Sequence, residues 1–297
     1  RFGGSAINYA RVIKLLKTKQ GNVIGVVVKD KSGELPFEPR DPAGRRLPQG
    51  QLRRQLAHLI RRHQPEVLHA NSLAMGRLSG PVAAELEVPS LAHLRDIIRL
   101  SARAVADLNC HTRLVAVSHA TRAFHLRAGL AASKTHVLHN GVDLQQFRPR
   151  QPTGRLHAEL GLPAGAMLVG TIGQIGLRKG QDVLVRAAVM LARRLPQVHY
   201  LIVGARHSDK AESRLFEEGL HAAAGKGDRS NLPRSGPPGA AHKLDQSPSP
   251  ARGQLAGRLH LLGTRNDVAW LLGELALLVH PARQEPLGRV LLEAAAS

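Results

Sequence analysis

Short apolar runs alternate with longer amphipathic segments along most of the chain, and this alternation constrains the fold more than any other feature. We interpret the run at 22–28 as a continuous apolar strand, the type that is buried on both faces of a parallel sheet. The longer segments carry apolar residues at helical spacing. Repeated strand–helix units of this length predict an α/β fold with helices on both sides of open parallel sheets.

The pattern places each element approximately. Predicted strands lie at 22–28, 67–69, 90–94, 114–117, 135–138, 167–172, 198–203, 259–262 and 275–279. Predicted helices lie at 51–62, 72–86, 97–108, 119–128, 183–195, 210–223 and 267–272. A glycine turn at Gly3 and Gly4 leads into a further amphipathic helix.

A chain of 297 residues is long enough for two domains. We expect an N-terminal domain at 1–150 and a C-terminal domain at 151–297, because a turn-rich passage ends near residue 150. The chain opens on a glycine turn with no strand before it and stops within a helical pattern, so we expect a fragment truncated at both ends. Residues 224–257 are rich in Gly, Pro, Ser and basic side chains, which predicts a disordered insertion.

The net charge of +20 favours anionic partners such as phosphorylated ligands, an anionic membrane surface or nucleic acid. Scattered arginines on solvated helix faces are the alternative explanation of that charge. Nucleic acid is the less favoured partner, because aromatic residues are only 3% of the chain and no nucleic-acid-binding module is evident. The single cysteine, Cys110, excludes an internal disulfide and fits a reducing compartment. We expect a cytoplasmic protein that contacts the inner membrane face peripherally.

Ligands of open parallel sheets bind beyond the carboxyl ends of the strands, so the residues at those positions are candidates for a site. In the first half, Asn71 follows the predicted strand at 67–69, and His93 lies near the end of the predicted strand at 90–94. Arg95 lies two residues after His93. A histidine that is satisfied within the core is the alternative for His93. In the second half, Lys179 follows a glycine-containing loop and precedes a helix start.

The segment that follows the last predicted strand carries the strongest signal. Pro286 suits the first position of a helix, where its missing N–H costs nothing. The N–H groups of Leu287, Gly288 and Arg289 would then point at an anion. Glu285 and Glu293 flank this helix start and suit hydroxyl groups. The alternative is an ordinary helix opened by Glu-Pro, with Glu293 facing water.

Taken together, these motifs resemble the retaining glycosyltransferases of family four. The matching pieces, in chain order, are Gly3-Gly4, VSHATR, HNGVDLQQF, GQIGLRKG, LLGTRND and EPLGRVLLE. The resemblance implies the GT-B fold, in which two Rossmann-like parallel-sheet domains face each other across a cleft. It also implies an enzyme that needs no metal and no cofactor, and that uses a nucleotide sugar such as a UDP- or GDP-hexose as co-substrate.

The resemblance also assigns roles. Lys179 and Glu285 would be the catalytic residues, with Lys179 on the diphosphate and Glu285 on hydroxyls of the donor sugar. The remaining donor-binding residues would be Gly3, Gly4, Gln174, Arg178, Thr264, Arg265, Leu287, Gly288, Arg289 and Glu293. Among them, Glu293 would hold the ribose, and Thr264 and Arg265 would lie against the nucleobase. His93, Arg95 and Asn71 are the acceptor-side candidates.

Two positions depart from the family pattern. Gln174 stands where the family usually has an arginine beside the diphosphate, and Arg178 is the residue that would replace its charge. Arg95 occupies the position of a family histidine, with His93 two residues earlier. The predicted function is transfer of a hexose to a carbohydrate or lipid-linked acceptor with retention of configuration. The alternatives are a basic, non-catalytic nucleic-acid-binding protein and a folded but inactive glycosyltransferase fragment.

Overall fold

The computed structural model describes residues 45, 47–225 and 255–297 and divides the chain into two compact units, Arg1–Asn140 and Gly141–Ser297. The division falls ten residues before the predicted boundary. The Gly3-Gly4 turn, the helix after it and the strand at 22–28 lie outside the described residues. Across the described residues, none of the helices has the length and hydropathy that crossing a membrane requires.

The described part of unit 1 is built on a parallel sheet with the strand order β1-β2-β3-β4. Its elements are α1 (Gln49–His63), β1 (Leu68–Ala70), α2 (Leu73–Glu85), β2 (Ser90–Leu94), α3 (Ala102–Asn109), β3 (Arg113–Ala116), α4 (His119–Arg127) and β4 (Thr135–Val137). The prediction of a parallel sheet covered by helices is confirmed for this unit.

Serine side chains define where three of these helices begin. Ser72, Ser101 and Ser118 each accept a hydrogen bond from the backbone N–H three residues later, which satisfies a donor of the first turn. The helix predicted at 97–108 is therefore wrong at its start, since α3 begins only after Ser101. Residues 97–101 are irregular, and their apolar side chains had suggested an earlier start.

Close packing of α2 against α3 depends on a glycine. A Cβ at Gly80 would lie 2.1 Å from the carbonyl oxygen of Asp107, so any larger residue would push the two helices apart. The core beneath them is aliphatic and includes the fully buried Leu56, Leu94 and Leu108. Burial of such side chains is the main stabilising contribution to a unit with so few aromatic residues.

Unit 2 has a second parallel sheet, with the strand order β7-β6-β5-β8. Its elements are α5 (Arg155–Leu160), β5 (Met167–Ile172), α6 (Gln181–Leu191), β6 (Val198–Val203), α7 (Ala211–Ala223), β7 (Leu259–Gly263), α8 (Val268–Glu274), β8 (Leu277–Leu278) and α9 (Arg289–Ala296). A short 3-10 turn, Leu177–Lys179, precedes α6. The second parallel sheet is likewise confirmed.

Three expectations for unit 2 need correction. The strand predicted at 275–279 is only Leu277–Leu278, although its hydrogen bonds to β5 extend from Ala276 to Val279. Helix α5 has no counterpart among the predicted elements. The prediction of a disordered insertion at 224–257 is wrong at both ends of that range, because Ala224 and Leu255 are buried in the same core cluster. The rest of that insertion, 226–254, lies outside the described residues.

Candidate functional site

The loop between β5 and α6 carries Lys179 and is held in shape by a buried glutamine. Gln181 is only 1% exposed. Its amide nitrogen donates to the carbonyl oxygen of Gln174 (3.0 Å), and its amide oxygen accepts from the N–H of Gly176 (3.3 Å). A buried amide with both groups satisfied makes a rigid loop. The position of Lys179 is thereby set at the carboxyl edge of the sheet.

A glycine lets this loop approach the segment that follows β8. Gly180 has φ +70°, and a Cβ there would lie 2.1 Å from the carbonyl oxygen of Pro281. The φ angle and the backbone contact both require glycine. This approach brings the segment before α6, which carries Lys179, and the segment after β8, which carries Glu285, into one site.

A bidentate ion pair fastens the two segments together. The guanidinium of Arg283 donates to the two carboxylate oxygens of Asp182 at 2.8 and 2.6 Å, and the backbone N–H of Arg283 donates to the carbonyl of Arg178 (3.0 Å). Burial raises the pKa of Asp182, but the hydrogen bonds and charge of Arg283 outweigh it and hold that pKa below the usual value. Asp182 is therefore a carboxylate at neutral pH.

Lys179 and Glu285 form an ion pair at the centre of this arrangement. The Nζ atom of Lys179 donates to Oε2 of Glu285, and the two side chains are 21% and 17% exposed. The two residues are 106 positions apart, so the contact depends on the fold and not on local sequence. The two residues predicted to be catalytic are brought together.

His280 packs beside the pair in a neutral state. Its Nε2 lies 3.4 Å from the same Glu285 oxygen. Burial lowers the pKa of His280, and the charge of Lys179 lowers it further, while Glu285 opposes both. A Cβ at Gly288 would come 3.0 Å from this nitrogen, so Gly288 lets the chain pass over the ring. The neutral ring leaves Lys179 as the cation that Glu285 contacts.

Helix α9 begins later than predicted. Pro286 is not its first residue, because Gly288 adopts the extended conformation of an N-cap and the helix starts at Arg289. The chain uses 286–288 to pass over His280. Of the three predicted N–H groups, only that of Arg289 belongs to the helix, while those of Leu287 and Gly288 precede it. The N–H groups of Arg289 and Val290 have no carbonyl partner within the helix, whereas that of Leu291 donates to the carbonyl oxygen of Gly288 (2.9 Å).

Glu293 does not face water. Its side chain is 12% exposed, and Oε1 accepts a hydrogen bond from Nε of Arg289 at 3.0 Å. The alternative of a solvated glutamate is therefore wrong. Glu293 lies on α9, one turn beyond the residue whose N–H begins the helix.

The residues predicted to meet the nucleobase follow β7. Thr264 is exposed. Arg265 donates to both carboxylate oxygens of Asp267 (2.9 and 2.8 Å) and to both of Glu159. Hydrogen bonds from Asp267, and then Glu159, raise the pKa of Arg265 above its usual value. Arg265 is thus a fixed cation whose donors are engaged by two carboxylates.

The other predicted donor residues have separate positions. Gln174 and Arg178 are both exposed and lie in the loop before α6. Gly3 and Gly4 lie outside the described residues. Sequence reasoning assigned no role to Gly180, Asp182, His280 or Arg283, although His280 and Arg283 belong to the segment with the strongest signal.

In unit 1, the three acceptor-side candidates meet at the carboxyl ends of β1 and β2. Oδ1 of Asn71 accepts a hydrogen bond from NH1 of Arg95 (2.9 Å) and lies 3.1 Å from Nδ1 of His93. His69, which ends the predicted strand at 67–69, joins them through its Nε2, 3.0 Å from the same His93 nitrogen. The alternative of a core histidine does not describe His93, because the residue is only partly buried.

Comparison with known proteins points to one family. The model for glycosyltransferase family 4 matches residues 9–146. The D-inositol 3-phosphate glycosyltransferase of Nocardioides sp. is 34% identical over 105 residues, which are 32% of this chain and 23% of that protein. The protein of the same name from Segniliparus rotundus is 37% identical over 102 residues, which are 34% of this chain and 22% of that protein. Each alignment spans less than a quarter of the relative's length.

Solved structures share the fold. Anabaena HepE in complex with UDP-glucose has a TM-score of 0.63 and 22% identity, covering 84% of this chain and 62% of that one. The sucrose-phosphate synthase of Thermosynechococcus elongatus has a TM-score of 0.58 and 19% identity, covering 90% of this chain and 62% of that one. This likeness shows that the two parallel-sheet units have the GT-B fold.

Proposed function

We propose that the chain is a glycosyltransferase of family 4, and that it transfers a hexose from a nucleotide diphosphate sugar to a hydroxyl group of a carbohydrate or lipid-linked acceptor. The alignments cover only part of each curated relative, so the proposal is argued from the site of this chain. The observation that carries it is the Lys179–Glu285 ion pair at the carboxyl edge of the unit 2 sheet.

The charges of this site suit a diphosphate. Lys179 is a cation in a partly buried setting, where its attraction for phosphate is stronger than in bulk water. The N–H groups of Arg289 and Val290, at the start of α9, add the positive end of the helix dipole. We therefore assign the diphosphate of the donor to Lys179 and the first turn of α9.

Glu285 suits the hydroxyl groups of the donor sugar. Within the described ranges only its Oε2 has a partner, so Oε1 is available to accept hydrogen bonds. Lys179 holds the carboxylate in one orientation before the sugar arrives. Such preorganisation lowers the cost of binding because fewer side-chain rotamers must be fixed.

The proposed reaction retains the anomeric configuration and uses no metal. The bond from the anomeric carbon to the diphosphate oxygen breaks while the bond to the acceptor oxygen forms on the same face of the sugar. The proton of the acceptor hydroxyl passes to the departing phosphate oxygen. Lys179 offsets the negative charge that grows on the diphosphate, which stabilises the transition state. No side chain bonds covalently to the sugar in this scheme.

A panel of UDP- and GDP-sugars, UDP-glucose included, tests the proposal by thermal shift and by turnover. A donor at 100 times its Kd adds about 2.7 kcal/mol to the free energy of unfolding. D-inositol 3-phosphate is the first acceptor to test, because the curated relatives carry its name. We expect EDTA to leave turnover unchanged. Neither stabilisation nor turnover with any member of the panel would refute the proposal.

Two substitutions connect that activity to the site. We expect Lys179→Met and Glu285→Gln to lower turnover at least 100-fold, the scale of losing one transition-state charge contact. The matched control is Lys210→Met, which removes an exposed lysine of the same unit. Wild-type turnover in Lys179→Met, or an equal loss in the control, would contradict the assignment.

We also propose peripheral contact with an anionic membrane, and helix α1 limits its form. The apolar face of α1 is buried in the core of unit 1, while Arg54, Arg61 and Arg62 lie outside that core. The contact would therefore be electrostatic, without insertion of an apolar face. Liposomes with anionic lipid should bind the chain at low salt and release it at about 1 M salt, where charges are screened beyond about 3 Å.

A further inference from the structure

The polar cluster of unit 1 consists of four side chains whose hydrogen-bonding atoms converge on the imidazole of His93. Arg95 donates to Oδ1 of Asn71 at 2.9 Å, and that oxygen lies 3.1 Å from Nδ1 of His93. His69 approaches the same His93 nitrogen through Nε2 at 3.0 Å, with the two rings edge to face. All four residues come from β1, β2 or the first residues after them.

The contacts of this cluster favour one tautomer of His93. A guanidinium only donates, so the atom of Asn71 that faces Arg95 is its amide oxygen and not its nitrogen. That oxygen also faces Nδ1 of His93 and needs a donor there. Both contacts of Nδ1 are satisfied when Nδ1 carries the proton and shares it between Asn71 and the lone pair of His69. The opposite tautomer would set two lone pairs against each other at 3.1 Å.

His93 is neutral, which leaves its second nitrogen as an acceptor. Burial, and after it the neighbouring His69 and the charge of Arg95, together lower the pKa of His93 to about 4. With Nδ1 protonated, Nε2 carries a lone pair. That atom has no hydrogen-bond partner among the residues that the structure describes, and it belongs to a strand end of a parallel sheet, where ligands bind.

We propose that Arg95 and Asn71 lock His93 with its proton on Nδ1, so that Nε2 accepts a hydrogen bond from a hydroxyl group of the sugar acceptor. This inference rests on the proposed function and deepens it. The site then requires an acceptor that carries a hydroxyl at this point. An acceptor whose corresponding hydroxyl is methylated or absent would leave a partly buried acceptor atom unpaired and bind more weakly.

The tautomer is measured without any substrate. Nitrogen NMR of the chain with isotope-labelled histidine distinguishes a protonated from an unprotonated ring nitrogen at neutral pH, and the signals missing from His93→Gln identify His93. We expect a protonated Nδ1 and an unprotonated Nε2 in the wild-type chain. We expect Asn71→Leu, which removes the oxygen, to yield a mixture of tautomers. A proton on Nε2 in the wild type would overturn the inference.

A matched pair of variants tests the contact with the acceptor. The side-chain amide of His93→Gln reaches the position of Nε2 and supplies an acceptor oxygen there, whereas His93→Asn retains only a group near Nδ1. We expect kcat/KM for D-inositol 3-phosphate, with UDP-glucose as donor, to fall about tenfold in His93→Asn, the equivalent of one hydrogen bond. His93→Gln should stay within about threefold of the wild type, since it keeps that bond.

UDP-glucose hydrolysis separates the two claims, because it needs no sugar acceptor. Hydrolysis at the wild-type rate in His93→Asn, together with loss of transfer, supports the contact with the acceptor. Equal transfer in the two variants would overturn it. A wild-type chain that turns over no donor refutes the proposed function and the acceptor contact with it, while the tautomer remains decided by the spectrum.

Discussion

Replacing Gly180 by alanine tests how the site is assembled. Gly180 has φ +70°, where a side chain costs about 1–2 kcal/mol. Its new Cβ would also lie 2.1 Å from the carbonyl oxygen of Pro281, whereas a relaxed carbon–oxygen contact is about 3.3 Å, so the segments must separate by about 1.2 Å. Crowding of this kind costs about 1–3 kcal/mol more.

The matched control for this variant is Gly161→Ala. Gly161 has φ +63°, but a Cβ there would contact nothing within 4 Å. It therefore shares the backbone cost of about 1–2 kcal/mol without the clash. The difference between the two variants, about 1–3 kcal/mol, isolates the contact between Gly180 and Pro281.

Urea unfolding and turnover measure the two consequences. Gly180 follows Lys179 directly, and Pro281 lies in the segment that carries Glu285, so the clash separates the ion pair. A displacement of about 1 Å at reacting groups costs on the order of 100-fold in rate. We expect Gly180→Ala to lose that much turnover and Gly161→Ala to keep it. Equal unfolding midpoints and equal turnover in the two variants would refute this reasoning.

Three further predictions concern stability. The pKa of His93 is lower in the folded chain than in the unfolded one, so neutral His93 contributes to the free energy of unfolding above pH 6.5, and this contribution is lost towards pH 4. The urea midpoint of the wild type should therefore fall more over this range than that of His93→Asn. Because the pKa of Asp182 is lowered in the folded chain, its carboxylate contributes to the free energy of unfolding above its unfolded pKa, near 3.9, and this contribution is lost as the pH falls below that value. Asp182→Asn should therefore flatten the acid limb of a pH–stability curve. Gly80→Ala should destabilise unit 1 by about 1–3 kcal/mol in urea, while Gly50→Ala, whose Cβ meets only the end of Arg54 at 3.9 Å, should not.

Most strands of both sheets were predictable because short segments rich in apolar residues alternate with longer segments of helical spacing. The strand predicted at 90–94 coincides with Ser90–Leu94, and that at 198–203 with Val198–Val203. Helix α5 was missed because it has only six residues, between two glycines. Its stability comes from Leu156, which is fully buried in a core cluster with residues of β5 and β6. Tertiary packing of this kind has no local signal.

The residues of the site that directly follow predicted strands could be predicted from the sequence. Lys179 and Glu285 both follow strands of one parallel sheet, so their meeting followed from the strand–helix alternation. The late start of α9 did not, since Pro286 suits a first helical position equally well in isolation. The ion pair of Arg283 with Asp182 spans 101 residues, and His69 joins His93 across 24. Such contacts depend on the register between strands and on loop geometry.

The most direct test of the donor site is calorimetric binding of UDP and UMP, with GDP and GMP in parallel, to the wild type and to Lys179→Met. A charge-assisted hydrogen bond to the second phosphate is worth about 1.5–3 kcal/mol, so the wild type should prefer the diphosphate by at least about tenfold. That preference should largely disappear in Lys179→Met. An unchanged preference in Lys179→Met, or no binding of either diphosphate to the wild type, would contradict the account.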